Sequence, residues 1–173
     1  MQKVCRITFF LFVLLVSLET TAAGHLVSAR VETAFQEDCL KLVLKKIKNA
    51  RKEILVAIFT FTLDDIADEL IEKKKAGLTV LVKVDEHQAD SKYTKPIVKK
   101  LRNAKIQVKL IKMPAYKHMH HKFIVIDKKT VLTGSYNFTH SATVSNWENC
   151  VCIQSNIVAN RFHSEWQHIK DRN

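Results

Sequence analysis

Two apolar runs, residues 53–61 (EILVAIFTF) and 79–85 (TVLVKVD), constrain the fold more than any other feature of this 173-residue chain. Both are rich in β-branched and aromatic side chains, which favour extended backbone. Between Ile54 and Phe59 the first run has no polar residue on either face, so as a strand it must be covered on both sides. The segments around these runs supply the cover. Leu40, Val43, Leu44 and Ile47 recur with helical spacing behind Asp38, which is expected to cap that helix. Residues 64–76 predict a second helix, with Ile66, Leu70 and Ile71 on its apolar side and Gly77 as a stop signal. A third helix is expected within residues 95–104, followed by a strand over 107–111. Apolar strands alternating with helices imply βαβ units.

Beyond residue 111 the pattern changes. Residues 121–126 (HKFIVI) and 130–133 read as short strands joined by Asp127, Lys128 and Lys129, a hairpin. Residues 148–154 predict one more strand, and residues 157–169 a closing helix carrying Phe162, Trp166 and Ile169. The expectation is a single α/β domain with a mixed, mostly parallel sheet flanked by helices. The length allows one core and not two catalytic lobes, so one site is expected.

Residues 1–23 read as an export signal. Lys3 and Arg6 precede an apolar stretch over 7–18, and small residues surround a cleavage point after Ala23. The stretch is short for a membrane span, which needs about 20 residues. The expected domain is therefore residues 24–173, secreted or periplasmic, with an uncleaved anchor as the lesser reading and no stable membrane association once the signal is cut. Cleavage would leave Cys39, Cys150 and Cys152, so at most one disulfide could form. Cys150 and Cys152 lie two apart and on a strand would share a face.

The net charge of +11 is spread along the chain and not gathered in one tail. A cationic surface attracts polyanions, nucleic acid and anionic lipid among them, and charge alone does not choose between these. The charge runs at 73–75 and 99–102 read as solvated helix faces.

Polar chemistry gathers between residues 118 and 148. His120 and Lys122 are two apart and project to one face of an extended segment. Ser135 and Asn137 repeat that spacing in the loop after the next strand, which a hairpin brings alongside. A neutral imidazole can attack phosphorus, a second imidazolium can protonate the leaving oxygen, and Lys, Ser and Asn donors can hold the nonbridging oxygens. A carboxylate such as Glu148 could orient the nucleophilic ring. No metal or cofactor is required by that scheme. His118, His120 and His121 could alternatively form an imidazole metal cluster, although no further ligand is obviously placed.

His120-x-Lys122, Asp127, Gly134-Ser135 and Asn137 stand at the spacing HxKx4Dx6GSxN and resemble the signature of the phospholipase D superfamily. The KAGLTVLVKVD stretch, the GSYNFT loop, the WEN carrying Glu148 and the closing helix with Trp166 resemble its single-motif branch of small exported bacterial endonucleases. The resemblance implies a phosphohistidine on His120, phosphate binding by Lys122, Ser135 and Asn137, and a hydrogen bond from Glu148 to His120. Asp127 completes the catalytic signature set, but from the far end of its strand a structural role is expected of it. One copy of a motif whose mechanism uses two histidines implies a homodimer with the site at its interface.

His118 and Tyr116 are added as candidate substrate contacts, while His121 and His140 are more ordinary as solvent-facing neighbours. Tyr116 lies in a polar loop beside Lys117; Phe138 and Trp147 could stack on bases but fit core packing at least as well. The expected function is metal-independent hydrolysis of the nucleic-acid backbone with low sequence specificity, DNA ranked ahead of RNA. A phospholipase D or phosphatidyl transferase acting on phospholipid uses the same chemistry and is the alternative. A noncatalytic nucleic-acid-binding protein is the third reading, and the intact motif argues against it.

Overall fold

The computed structural model describes residues 27–172. Along the chain the elements are β1 (Arg30–Phe35), α1 (Glu37–Lys48), β2 (Glu53–Ile58), α2 (Asp64–Lys75), β3 (Thr79–Asp85), α3 (Glu86–Ala89) and α4 (Thr94–Asn103). They continue as β4 (Gln107–Ile111), β5 (Lys122–Ile126), β6 (Thr130–Gly134), α5 (His140–Val144), β7 (Asn149–Gln154) and α6 (Asn156–His168). The strands form one seven-stranded sheet in the order β1-β7-β6-β5-β2-β3-β4. β2 lies inside the sheet between β5 and β3, and its residues Ile54 to Ile58 are at most 1% exposed, as the unbroken apolar run requires.

The sheet is mixed and flanked by helices, as expected, but the balance of its pairings differs from the mostly parallel arrangement read from the sequence. Only β2–β3 and β3–β4 are parallel, whereas β1–β7, β2–β5, β5–β6 and β6–β7 are antiparallel. The physical reason is the connections. A parallel neighbour needs a crossover, which α2 and α4 provide; β5 and β6 are joined by a hairpin too short for one.

One face of the sheet carries α1, α2 and α4 over a core that includes Ile47, Ile54, Val56, Leu70, Val80 and Leu101. The other face is covered by α6 over Leu55, Ala57, Phe123, Val125 and Val131. Trp166 fastens α6 to the sheet: its indole N–H donates to the Val56 carbonyl at 2.9 Å, and the Lys83 ammonium sits 4.0 Å above its ring.

Several local expectations change. Asp38 does not cap α1, which starts one residue earlier; Asp38 lies in the first turn and pairs with Lys41 at 2.8 Å. There a carboxylate still complements the helix dipole. The run 53–61 leaves the sheet after Ile58, and β1, α3 and α5 were not anticipated. Phe138 is core, edge-on to Phe61 at 5.2 Å, whereas Trp147 is 90% exposed. Cys150 and Cys152 share the inward face of β7 and, with Cys39, are buried free thiols. Burial pushes the Cys39 thiol up to about 11 and the Cys150 thiol up to about 12. The signal segment lies outside the described residues. Among those described, no helix is long and apolar enough to cross a membrane.

Candidate active site

The antiparallel half of the sheet brings the motif together. In register, Ile58 lies opposite Lys122, Phe123 opposite Thr133, and Gly134 opposite Cys150. The exit of β2, the start of β5, the exit of β6 and the start of β7 therefore lie at one end of four adjacent strands. His120 and Lys122 come from β5 and the loop before it, Ser135 and Asn137 from the loop after β6, and Glu148 from the residue before β7.

His120 and Lys122 are in direct contact. The Lys122 ammonium lies 3.1 Å from His120 Nε2 and donates to the His120 carbonyl at 3.0 Å. An ammonium can only donate, so it favours a ring whose Nε2 is an acceptor with an available lone pair. Burial, with the Lys122 charge second, holds the His120 pKa below the usual 6.5, and burial likewise lowers that of Lys122. The Phe59 ring packs beneath both, 4.6 Å from the His120 ring and 5.0 Å from the Lys122 ammonium. The His120 shift favours a neutral imidazole near neutral pH, which is the nucleophilic form.

The opposite wall is set by backbone. Ser135 N donates to the Asn149 carbonyl, and Ser135 Oγ accepts from Asn149 N at 3.1 Å. Gly134 makes this approach possible. A Cβ there would stand 2.2 Å from the Asn149 carbonyl oxygen, and its φ of +156° is one that side-chain-bearing residues rarely adopt. Asn137 Oδ1 accepts from Thr60 N at 3.3 Å, which turns the amide so that its NH2 stays available as a donor.

Glu148 departs from expectation. Its carboxylate accepts from Ser135 Oγ and, at 3.3 Å, from Asn146 Nδ2; the expected bond to His120 is not formed within the subunit. The reason is placement: Glu148 follows the β7 backbone to the Ser135 side of the cluster. Asp127 is the member of the catalytic set that is absent from the site. It sits at the other end of β5, where its carboxylate accepts from the backbone N–H of Arg51, Lys52 and Glu53 at 2.9, 2.8 and 2.9 Å. Together with the Asp127 N–H bond to the Glu53 carbonyl, this fixes the register of β5 on β2.

His118 reaches the site, edge-on to Phe59 at 5.3 Å. Tyr116 is fully exposed on the same loop. Sequence reasoning missed Phe59 and Asp85. The Asp85 side chain is 2% exposed; it accepts from Met119 N at 2.9 Å and lies 3.9 Å from His118 Nδ1, anchoring the loop that carries the histidines. The signal was available, since a carboxylate at the carboxyl end of a buried parallel strand is where α/β sheets place functional groups. Among the described residues no three His, Cys, Asp or Glu side chains are grouped to hold a metal ion, which leaves the His118–His120–His121 alternative without a cage.

An imidazole whose Nε2 is held as an acceptor by an adjoining ammonium, with a serine hydroxyl and an asparagine amide at the same end of a mixed sheet, defines a phosphodiester-cleaving α/β enzyme. A family model described as "Cardiolipin synthase, PLD-like domain" matches residues 43–170, and the chain belongs to the phospholipase D superfamily. Phospholipase D of Rickettsia bellii is 33% identical over 152 residues, covering 87% of this chain and 74% of that protein. Mitochondrial cardiolipin hydrolase of Chlamydomonas reinhardtii is 32% identical over 132 residues, covering 76% of this chain and 57% of that one. Among solved structures, Nuc from Salmonella typhimurium, a phospholipase D family member, aligns with a TM-score of 0.77 at 29% identity, covering 82% of this chain and 94% of that one.

Proposed function

We propose that this phosphodiesterase hydrolyses the backbone of nucleic acid, DNA ahead of RNA, as an exported, metal-independent endonuclease of low sequence specificity. The observation that carries the chemistry is the His120–Lys122 contact. His120 Nε2 attacks the phosphorus, the bond to the leaving oxygen breaks, and the leaving oxygen takes a proton from a second imidazolium. Water then attacks the phosphohistidine, returning that proton to the acid and freeing His120. Lys122 offsets the charge on the nonbridging oxygens, the Asn137 amide donates to them, and Ser135 does so once its hydroxyl turns from Glu148. The strongly basic chain and its likeness to small exported endonucleases support nucleic acid as the substrate.

The second imidazole is assigned to the partner subunit's His120 in a two-fold dimer. One copy of the motif supplies one such histidine, and Phe35 (61% exposed), Val144 (60%) and Trp147 (90%) leave apolar surface near Glu148 for a second copy to cover. In this dimer Glu148 steadies Ser135 and is close enough to the cluster to support its positive charge.

A second reading, hydrolysis of a phospholipid, is favoured by the names of relatives such as phospholipase D and cardiolipin hydrolase. One assay separates the two: plasmid DNA, single-stranded RNA and phospholipid vesicles, each incubated with protein in excess EDTA beside His120→Ala. Nucleic-acid cleavage that survives EDTA and vanishes in the variant is the expected result. Cleavage of vesicles alone would replace the nuclease reading with the lipid one, and loss of activity in EDTA would overturn the metal-free mechanism.

A further inference from the structure

Beside His120 lies a cavity of about 340 Å³ that the reaction as described does not use. It is enclosed between the loop joining β4 to β5 and the end of α6 with the residues that follow. Six of its lining residues are basic or imidazole: His118, His120, His121, His168, Lys170 and Arg172. The single carboxylate in the lining, Glu165, is 3.4 Å from His121 Nε2 and so faces a partner of its own. No ion pair reaches Lys170 or Arg172 among the described residues.

The segment carrying these two cations is fastened to the fold. The Lys83 ammonium, on a side chain buried within the sheet, donates to the carbonyls of Trp166 and Ile169 at 2.6 and 2.8 Å. Lys112 N donates to Asp171 Oδ1 at 3.0 Å, and Arg172 N donates to the Lys112 carbonyl at 3.0 Å. Ile169 is itself buried, so residues 169–172 are tied on both sides of Lys170. Cations held in this way on a fixed backbone lose less freedom when they meet an anion than cations on a free tail.

We infer that this cavity is an anion subsite: Lys170 and Arg172 seat the phosphate adjacent to the scissile one in a nucleic-acid strand, so that the enzyme selects strands with neighbouring phosphates over isolated diesters. The inference rests on the nuclease reading and deepens it. The position fits, because His120 lines the cavity and the reacting phosphorus must lie against His120. The chemistry fits as well. An acyl chain would require an apolar channel, whereas six of the eleven lining residues are imidazole or cationic, and Ile111, Met113, Met119 and Ile169 offer apolar surface for a sugar or base.

The test compares the full chain with the Lys170→Gln/Arg172→Gln double variant, both checked for equal melting temperature. The substrates are thymidine dinucleoside monophosphate, its counterparts bearing a 5′- or 3′-terminal phosphate, a single-stranded oligothymidylate, and bis(p-nitrophenyl) phosphate as a single-diester reference. Wild type is expected to favour one of the terminally phosphorylated dinucleotides over the unphosphorylated one by about tenfold or more in kcat/KM, the scale of one charge-assisted contact. In the double variant that preference disappears. The slope of log K against log salt for oligothymidylate, measured on His120→Ala with and without the double substitution, is expected to fall by about one per cation removed. Retention of the preference by the double variant, with an unchanged salt slope, would overturn the subsite alone. Turnover of bis(p-nitrophenyl) phosphate by wild type with none of the nucleotide substrates cleaved would overturn the nuclease reading and the subsite together.

Discussion

His120 is exposed enough to meet a substrate, yet its partial burial and the Lys122 ammonium both disfavour the imidazolium. Within the subunit its pKa therefore lies below the usual 6.5, which suits the attacking ring, while in the proposed dimer the two His120 rings titrate as a coupled pair sharing one proton. The acid limb of the pH profile of kcat/KM is expected below pH 6.5, and an NMR titration of the His120 ring should show the same direction. A midpoint above 6.5 would mean that a carboxylate, not Lys122, governs the ring. Asp127 makes the opposite case, a motif residue whose task is structural. Asp127→Ala removes the acceptor for three backbone donors and is expected to cost about 1–3 kcal/mol of stability, read from denaturant unfolding, while kcat falls far less than in His120→Ala. The six polar members of the motif were legible as residues, but their division of labour was not. Residue spacing placed Asp127 two turns of the pleat from Lys122, yet only the meeting of β5 with the entry to β2 gave its carboxylate three N–H partners.

At the scale of elements, the site depends on how closely β6 and β7 approach. Gly134 is where that approach is closest, and the atoms facing its missing side chain belong to backbone, which cannot swing away. Gly134→Ala is expected to push the strands apart, lowering stability by about 1–3 kcal/mol. It should also weaken the Ser135 bonds to Asn149 and Glu148, with a drop in kcat larger than the change in melting temperature would explain at the assay temperature. A variant with native kcat would show that Ser135 is held by something else. The strands that were read most accurately, β3 and β4, are those in which apolar residues recur at alternate positions, Val80, Val82 and Val84 in one and Val108 and Leu110 in the other. The elements that went unread have weak local signals. β1 exists because its backbone completes the edge of β7, although Val31 and Phe35 remain largely exposed. α5 is a five-residue turn secured by the Thr139 hydroxyl, which accepts from Ala142 N at 3.1 Å.

For the whole molecule, the proposed dimer makes a prediction that a single subunit cannot. Phe35→Glu with Trp147→Glu should convert a dimer into a monomer in sedimentation and reduce cleavage by at least the ~100-fold that a lost general acid costs, while the thermal transition of the subunit remains cooperative. A fully active monomer would place the acid within one chain, where His118 is the nearest imidazole packed against Phe59. The sequence by itself determined the class of fold, the motif and the family, because apolar periodicity and motif spacing are local properties that survive in any chain with these residues. Tertiary structure alone decided the rest. It set the antiparallel majority of the sheet, the attachment of Glu148 to Ser135 in place of His120, the anchoring of the histidine loop by Asp85, and the cationic cavity formed where the end of α6 meets that loop. Each of these joins segments far apart in the chain, and which segments meet is fixed only when both faces of the sheet have found their cover.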